Sequence, residues 1–321
     1  MRAPRLLKRL IRASVPLTCF AYMADDWRFG RRLKHGRFET ESGATHASLP
    51  LDESLAYIER IYRDYCRDAG VPAFTGAIAE IGPGDNFGLA LLLLRYGAGE
   101  VHAIDRYYSR RDARAQGAIY EALAERHGLA HLFEGGIAEE RIRGLTYHVG
   151  QAAETFFAER GLRFDAVLSR AVMEHLYDPI RALEGMLGAL KPGGRLVHRI
   201  DLRDHGMFAN RHPLTFLTVP DSLYRRMTRH SGRPNRVLLP EYRAWAGRAG
   251  CAAQFLITRL VGHERDLEPA PWAALDPALR AEAEARVREI RARLVPRLRA
   301  FSDADLAVAG FVLSARKGMS G

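Results

Sequence analysis

Apolar positions fall into two alternating patterns from residue 73 onward. Short apolar runs at 77–81, 101–104, 146–149, 166–168, 195–200, 253–261 and 310–315 read as strands. Between them, apolar residues recur every three or four positions near 86–97, 112–127, 151–160, 178–190, 240–249 and 276–299, the spacing of helices that bury one face. Strands alternating with helices predict a doubly wound α/β fold on a mostly parallel sheet. Two stretches, 128–144 and 203–239, read as insertions within a domain spanning 73–321.

Residues 1–72 read as an N-terminal helical extension. Within 53–66, Leu55, Ile58, Ile61, Tyr62 and Tyr65 share a helical face after an N-cap at Asp52, and Gly70-Val71-Pro72 ends the helix. Helix packing alone accounts for this segment, and a lid over a site beside the first strand is the second reading. At the chain start, Arg2, Arg5, Lys8, Arg9 and Arg12 interleave with Leu6, Leu7, Leu10, Ile11 and Val15. A helix packing its leucine stripe on the core is the first reading here. Peripheral contact with a membrane surface through residues 1–15 is the second. A signal peptide is disfavoured, because Arg12 and Pro16 interrupt the apolar stretch and no small-residue cleavage site follows.

Composition changes this picture little. The apolar run 89–94 is far shorter than the roughly 20 residues a membrane-spanning helix needs. Cys19, Cys66 and Cys251 lie far apart and without metal spacing, as reduced thiols of a cytoplasmic protein do. The formal charge of +10 comes almost wholly from arginine, since lysine occurs only at 8, 34, 191 and 317. It is scattered rather than gathered into a tract, so a solvated surface is preferred to a nucleic-acid or lipid footprint. Nothing in the pattern sets an oligomeric state.

The chemistry begins at Glu80-Ile81-Gly82-Pro83-Gly84-Asp85-Asn86-Phe87-Gly88. A strand ends on an acid and enters a glycine turn that opens a helix. Glycines at 82 and 84 let backbone approach a ligand that a Cβ would repel, at a helix N-terminus suited to nucleotide-like groups. The dinucleotide fingerprint wants its third glycine one place earlier than Gly88. An acid ahead of the turn would also face a pyrophosphate, so Glu80 argues for a ligand with positive charge. Asp105 ends the second strand about 20 residues on, where a carboxylate can hold the hydroxyls of a ribose. Taken alone, Asp105 fits a nicotinamide cofactor equally well.

Three more stretches carry a resemblance. They are Val149-Gly150-Gln151-Ala152-Ala153-Glu154, then Phe164-Asp165-Ala166-Val167-Leu168-Ser169-Arg170 running on to Glu174-His175, then Leu190-Lys191-Pro192-Gly193-Gly194. In order and spacing, residues 73–202 resemble the class I S-adenosylmethionine-dependent methyltransferases, and the Lys-Pro-Gly-Gly turn is the most telling element. The resemblance implies a Rossmann-like, seven-stranded sheet whose last strand enters antiparallel, with S-adenosylmethionine as cofactor. It implies that Glu80, Gly82 and Gly84 face the amino-acid part and that Asp105 binds the ribose. Arg106 would stack near the adenine, Gln151 and Ala152 would meet its edge, and Ser169 would line the methionine side. Gln151 departs from the family's frequent Asp, though an amide can still accept from an adenine amino group.

The acceptor should lie beyond the fourth and fifth strands, where His175, Asp201 and His205 are the candidate catalytic residues. Asp201 and His205 could orient and deprotonate a hydroxyl, and both should open onto the cavity of Gly82. A metal set of His198, Asp201 and His205 is disfavoured, because these residues alternate in and out of a strand, and no metal is assigned. His212, Tyr224, Arg225, Arg226 and Arg229 in the 203–239 insertion form a second candidate wall. The Asn/Asp-Pro-Pro-aromatic loop of base amino-methylation is absent, and so is a cysteine after the fourth strand, which argues against nucleic acid as a partner. The expectation is O-methylation of a small molecule, sugar or glycolipid. A nicotinamide-dependent oxidoreductase and a catalytically silent cofactor-binding scaffold are the alternatives.

Overall fold

The computed structural model describes residues 14–36, 39–40, 45–159, 161 and 163–319. Helices at Val15–Lys34 (α1) and Leu51–Ala69 (α2) precede the alternation, and the basic stripe read at 1–13 lies outside the described residues. Next come Gly76–Ile81 (β1), Gly88–Arg95 (α3), Ala98–Asp105 (β2), Ala113–His127 (α4), Leu145–Val149 (β3) and Ala153–Glu159 (α5). Then follow Phe164–Arg170 (β4), Pro179–Ala189 (α6), Leu190–Asp201 (β5), Asp221–Thr228 (α7) and Leu239–Ala249 (α8). Ala252–Leu260 (β6), Pro277–Ile290 (α9) and Val308–Arg316 (β7) complete the series.

One sheet takes all seven strands in the order β3-β2-β1-β4-β5-β7-β6. β1 to β5 pair in parallel, and β7 runs antiparallel between β5 and β6. Both faces are covered. Ile78 of β1 joins one apolar cluster with Leu91 of α3 and Ile119 of α4, while Ala77, Ala79 and Ile81 join the other with Phe156 of α5 and Leu183 of α6. Strands buried on both faces read as mostly apolar runs, which is why the central β1 and β4 stand out in the sequence, while the edge strand β3 is only partly buried. The chain runs outward from β1 to β3 and then returns to lay β4 beside β1. That reversal opens a crevice at the carboxyl ends of β1 and β4, the place where such sheets receive ligands.

The Lys-Pro-Gly-Gly turn is absorbed into β5 instead of preceding it. Phe164 pairs with Leu190 but Ala166 with Arg195, so residues 191–194 bulge opposite Asp165. The Asp165 carboxylate fastens the bulge by accepting from Lys191 Nζ at 2.6 Å and from Ala77 N at 2.8 Å. The helix expected over 276–299 is broken after Ile290, because Pro296 cannot continue it and opens a separate turn at Pro296–Arg299. α7 was not legible as a helix, nor was the two-residue strand pair 39–40 with 108–109. None of the helices among the described residues is long and apolar enough to cross a membrane.

Candidate active site

At the crevice lies a cavity of about 410 Å³, within the range of small-ligand sites. Its floor is the glycine turn. Gly82 has φ +73°, its N–H donates to Ile104 O at 2.9 Å, and a Cβ there would collide with the Val172 side chain. Glu80 and Asp105 line the floor from the ends of β1 and β2. Burial pushes the Glu80 carboxyl up to about 8, with Asp105 adding to the shift and Arg111 opposing it. Asp105 is raised to about 7 by burial, against a 3.2 Å hydrogen bond from the Tyr147 hydroxyl and the Arg111 charge. Glu80 Oε2 is buried without a hydrogen-bond partner. Two carboxylates thus share one guanidinium, and Arg111 is already committed to an ion pair with Glu139. Its guanidinium lies 4.0 Å from the Phe87 ring centroid and 4.6 Å from that of Tyr147, and it donates to Gly84 O at 3.2 Å. A floor so built favours a ligand that brings positive charge and hydrogen-bond donors.

The N-terminal segments form much of the wall. α1 supplies Phe29, and α2 supplies Tyr57, Ile58, Ile61 and Tyr65, so the face read as a lid does border the cavity. Thr45 and His46 close the gap between these helices. The buried Asp85 carboxylate holds that stretch in place, accepting from His46 N at 3.4 Å and Ala47 N at 3.0 Å. Asp26 of α1, also buried, accepts from the backbone of His230 and Ser231 at 2.9 Å each and from His230 Nδ1 at 2.9 Å. That clasp sets Ser231 and Gly232, the residues of the 203–239 insertion that reach the cavity.

The expected cofactor residues divide. Glu80, Gly82, Gly84, Asp105, Arg106 and Gln151 all line the cavity. The Arg106 guanidinium lies 3.9 Å from the Tyr177 ring centroid and 3.8 Å from Glu154 Oε1. Ala153 lines the cavity where Ala152 was expected. Ser169 does not line it, because strand alternation turns its side chain into the sheet, where Oγ meets His198 Nδ1 at 2.8 Å. His198 is fully buried there.

The acceptor candidates divide as well. His175 lines the cavity, with Nδ1 donating to Gly232 O at 2.7 Å. Burial, and after it the nearby His205, lowers its imidazole to about 4. Asp201 and His205 do not open onto the cavity of Gly82. They border a neighbouring recess formed by 201–206, and His205 reaches the cavity only through its ring, edge-on to His175 at 4.9 Å between centroids. The reason is the left-handed backbone at His205, φ +50°, together with the grip of Arg203 on the Asp201 carboxylate. Of the second wall, Tyr224 is buried with its hydroxyl donating to Pro234 O at 2.8 Å, and His212 Nε2 lies 2.9 Å from Arg286 O. Neither borders the cavity, nor do Arg225, Arg226 and Arg229.

Sequence reasoning missed Arg111, Tyr147, Asp85 and Glu174. The first three act through contacts with partners 24 or more positions away, such as Asp105 for Tyr147, 42 positions off, and leave no local signal. Glu174 stood in plain view beside His175, and a carboxylate next to an imidazole just past a strand end was the signal available.

Residues 64–253, more than half of the chain, match the family model described as a methyltransferase domain. No curated protein matches the chain in sequence. Among solved structures, the chain is similar to an S-adenosylmethionine-dependent methyltransferase from Mesorhizobium loti at 15% identity and a TM-score of 0.41, over 84% of this chain and 100% of that one. It is also similar to a Haemonchus contortus phosphoethanolamine N-methyltransferase 2 in complex with phosphomonomethylethanolamine and S-adenosylhomocysteine. That likeness has 18% identity and a TM-score of 0.41 over 81% of this chain, which spans only 53% of the worm protein.

Proposed function

Because the chain belongs to the family of methyltransferase domains, we propose that it carries the methyl group of S-adenosylmethionine to a hydroxyl oxygen of a small molecule, sugar or glycolipid. The observation that carries the cofactor reading is Glu80, a buried carboxylate with an unpartnered oxygen at the floor of the cavity. A cationic amino group satisfies that oxygen, whereas a pyrophosphate would be repelled by it. On this reading Asp105, at the end of β2 in the cavity, takes the ribose hydroxyls, and Arg106 and Gln151 take the adenine. When bound, the cofactor supplies an electrophilic methyl on a sulfonium.

The chain's own part is alignment and exclusion of water, since an in-line displacement depends chiefly on positioning. Phe29, His46 and Tyr57 wall the cavity off. His175 stays neutral at physiological pH, and with Nδ1 engaged its Nε2 is the nitrogen that can accept from an acceptor hydroxyl. Its lowered basicity makes it an orienting group rather than a strong base. His205 packs edge-on against the His175 ring, and Asp201 holds His205 in turn, 3.6 Å from its Nε2.

A lipid-borne acceptor has support of its own. Leu17, Phe20, Ala24 and Trp27 follow one another at spacings of three and four along α1, and all are exposed. An apolar stripe beside Arg28, Arg31, Arg32 and Lys34 suits an anionic membrane surface. The free thiols Cys19, Cys66 and Cys251 suit the cytoplasm.

The test is transfer of labelled methyl from S-adenosylmethionine to a panel of sugars, glycolipids and small hydroxylated compounds. The expected product is a base-stable methyl ether, formed more slowly by His175→Asn at unchanged cofactor affinity. Label recovered on nitrogen, or as a base-labile ester, would overturn O-methylation.

A further inference from the structure

We propose that Glu174, His175 and His205 bind one first-row divalent transition-metal ion beside the cavity that His175 lines. One ligand atom from each of the three lies within 4.8 Å of the others, and this is the one such group among the described residues. Proximity alone would carry little, but each side chain adds an independent sign. Glu174 is 1% exposed, and no side chain hydrogen-bonds its carboxylate, which the backbone of Glu174 and Asp201 approaches. A carboxylate buried so completely is costly unless a cation or a proton completes it. The adjacent Asp201 differs in that Arg203 satisfies it, with Arg203 Nε at 2.8 Å from Oδ1. The Arg203 charge is therefore already engaged.

His175 is prepared as a ligand. The carbonyl of Gly232 takes its Nδ1–H, which fixes the tautomer with the lone pair on Nε2, as outer partners of metal-bound imidazoles do. The Met173–His175 turn is itself clamped by Asn235, whose Nδ2 donates to Met173 O at 2.9 Å and Leu176 O at 3.0 Å. His205 is brought over by its left-handed backbone, and its Nε2 stands 4.0 Å from Glu174 Oε1 and 3.6 Å from Asp201 Oδ2. Ligand atoms about 2.1 Å from an ion sit roughly 3 to 3.4 Å apart, so His205 has to move inward by about an ångström. It lies on a partly exposed loop that can do so. Two imidazoles with one carboxylate select zinc, iron, cobalt, nickel or manganese over magnesium or calcium.

The existence of the site does not depend on methyl transfer, but its use rests on that reading. An ion there would occupy His175 Nε2 and take over its contact with the acceptor hydroxyl, through coordination positions left open beside the cofactor cavity.

The experiment uses the full chain stripped with a chelator. Zn²⁺ binding is followed by calorimetry and Co²⁺ binding by visible absorption. We expect one ion per chain, cobalt bands without the sulfur charge-transfer of a cysteine site, and at least about tenfold weaker binding in Glu174→Gln and His205→Asn. Asparagine is chosen because it tolerates the positive φ at 205, and circular dichroism checks that both variants are folded. Saturation by no ion, or equal affinity in wild type and folded variants, would overturn the proposal. S-adenosylmethionine titrated in parallel separates the two readings, because the cofactor cavity can fill whether or not the ion binds.

Discussion

Glu80 is the residue at which folding and ligand binding pull in opposite directions. Its carboxyl is raised from an ordinary 4.5 to about 8, so the folded chain keeps a proton that the unfolded chain releases across that window. The stability it contributes therefore falls as pH rises from about 4.5 to 8. Glu80→Gln should raise the melting temperature by a few degrees at pH 8 and by much less near pH 5. A difference that stays constant with pH would mean Glu80 is not the titrating group. Binding has the opposite sign, because a cationic ligand needs the ionised form. Affinity for S-adenosylmethionine should strengthen from pH 6 to 7.5 in wild type and show a shallower slope in Glu80→Gln, as read by calorimetry. Asp105→Ala removes a charged hydrogen-bond acceptor and should weaken binding by about 1.5–3 kcal/mol, roughly 10- to 100-fold, with the fold intact. Glu80, Gly82 and Asp105 were legible because strand ends and glycine turns are local features. Ser169 misled because one step along β4 decides whether a side chain meets ligand or sheet. Arg111 was hidden, since an arginine within a basic stretch reads as solvated until the fold brings Glu139, Phe87 and Tyr147 around it.

Among the elements, the seven strands of the sheet were readable from runs rich in apolar and β-prone residues, and only their ends moved. What could not be read is how the segments before β1 attach. α1 and the 45–48 stretch are fixed to the sheet domain by Asp26 and Asp85, two buried carboxylates that cap backbone N–H groups far away in sequence. Such caps obey no local spacing. Asp85→Ala should free 45–48 from the cavity mouth, seen as faster amide exchange there, and lower cofactor affinity by about tenfold, the effect of losing a hydrogen bond to a charged group. Unchanged exchange would show that the stretch is held by packing alone. Gly82→Val should abolish cofactor binding, because a branched side chain at φ +73° meets Val172. A folded Gly82→Val chain that binds normally would place the ligand elsewhere.

At the scale of the whole molecule, the reversal of strand order puts the cavity at the carboxyl ends of β1 and β4, and the N-terminal helices turn that crevice into a walled site. The exposed stripe of α1 lies on the same helix that supplies Phe29 to the wall, so a membrane-facing surface and the cavity share one element. Phe20→Ser with Trp27→Ser should reduce co-sedimentation with anionic vesicles while cofactor affinity stays as it was. Equal sedimentation, or a change in the chain's own oligomeric state instead, would count against lipid as the partner of this stripe. The central claim is that the cavity is built for a sulfonium nucleoside rather than a dinucleotide. Calorimetric titration of the full chain with S-adenosylmethionine, its demethylated product and NADPH tests it most directly. We predict that the first two bind at one per chain, weakened in Asp105→Ala, and that NADPH does not bind; saturable NADPH binding with no response to S-adenosylmethionine would contradict the account.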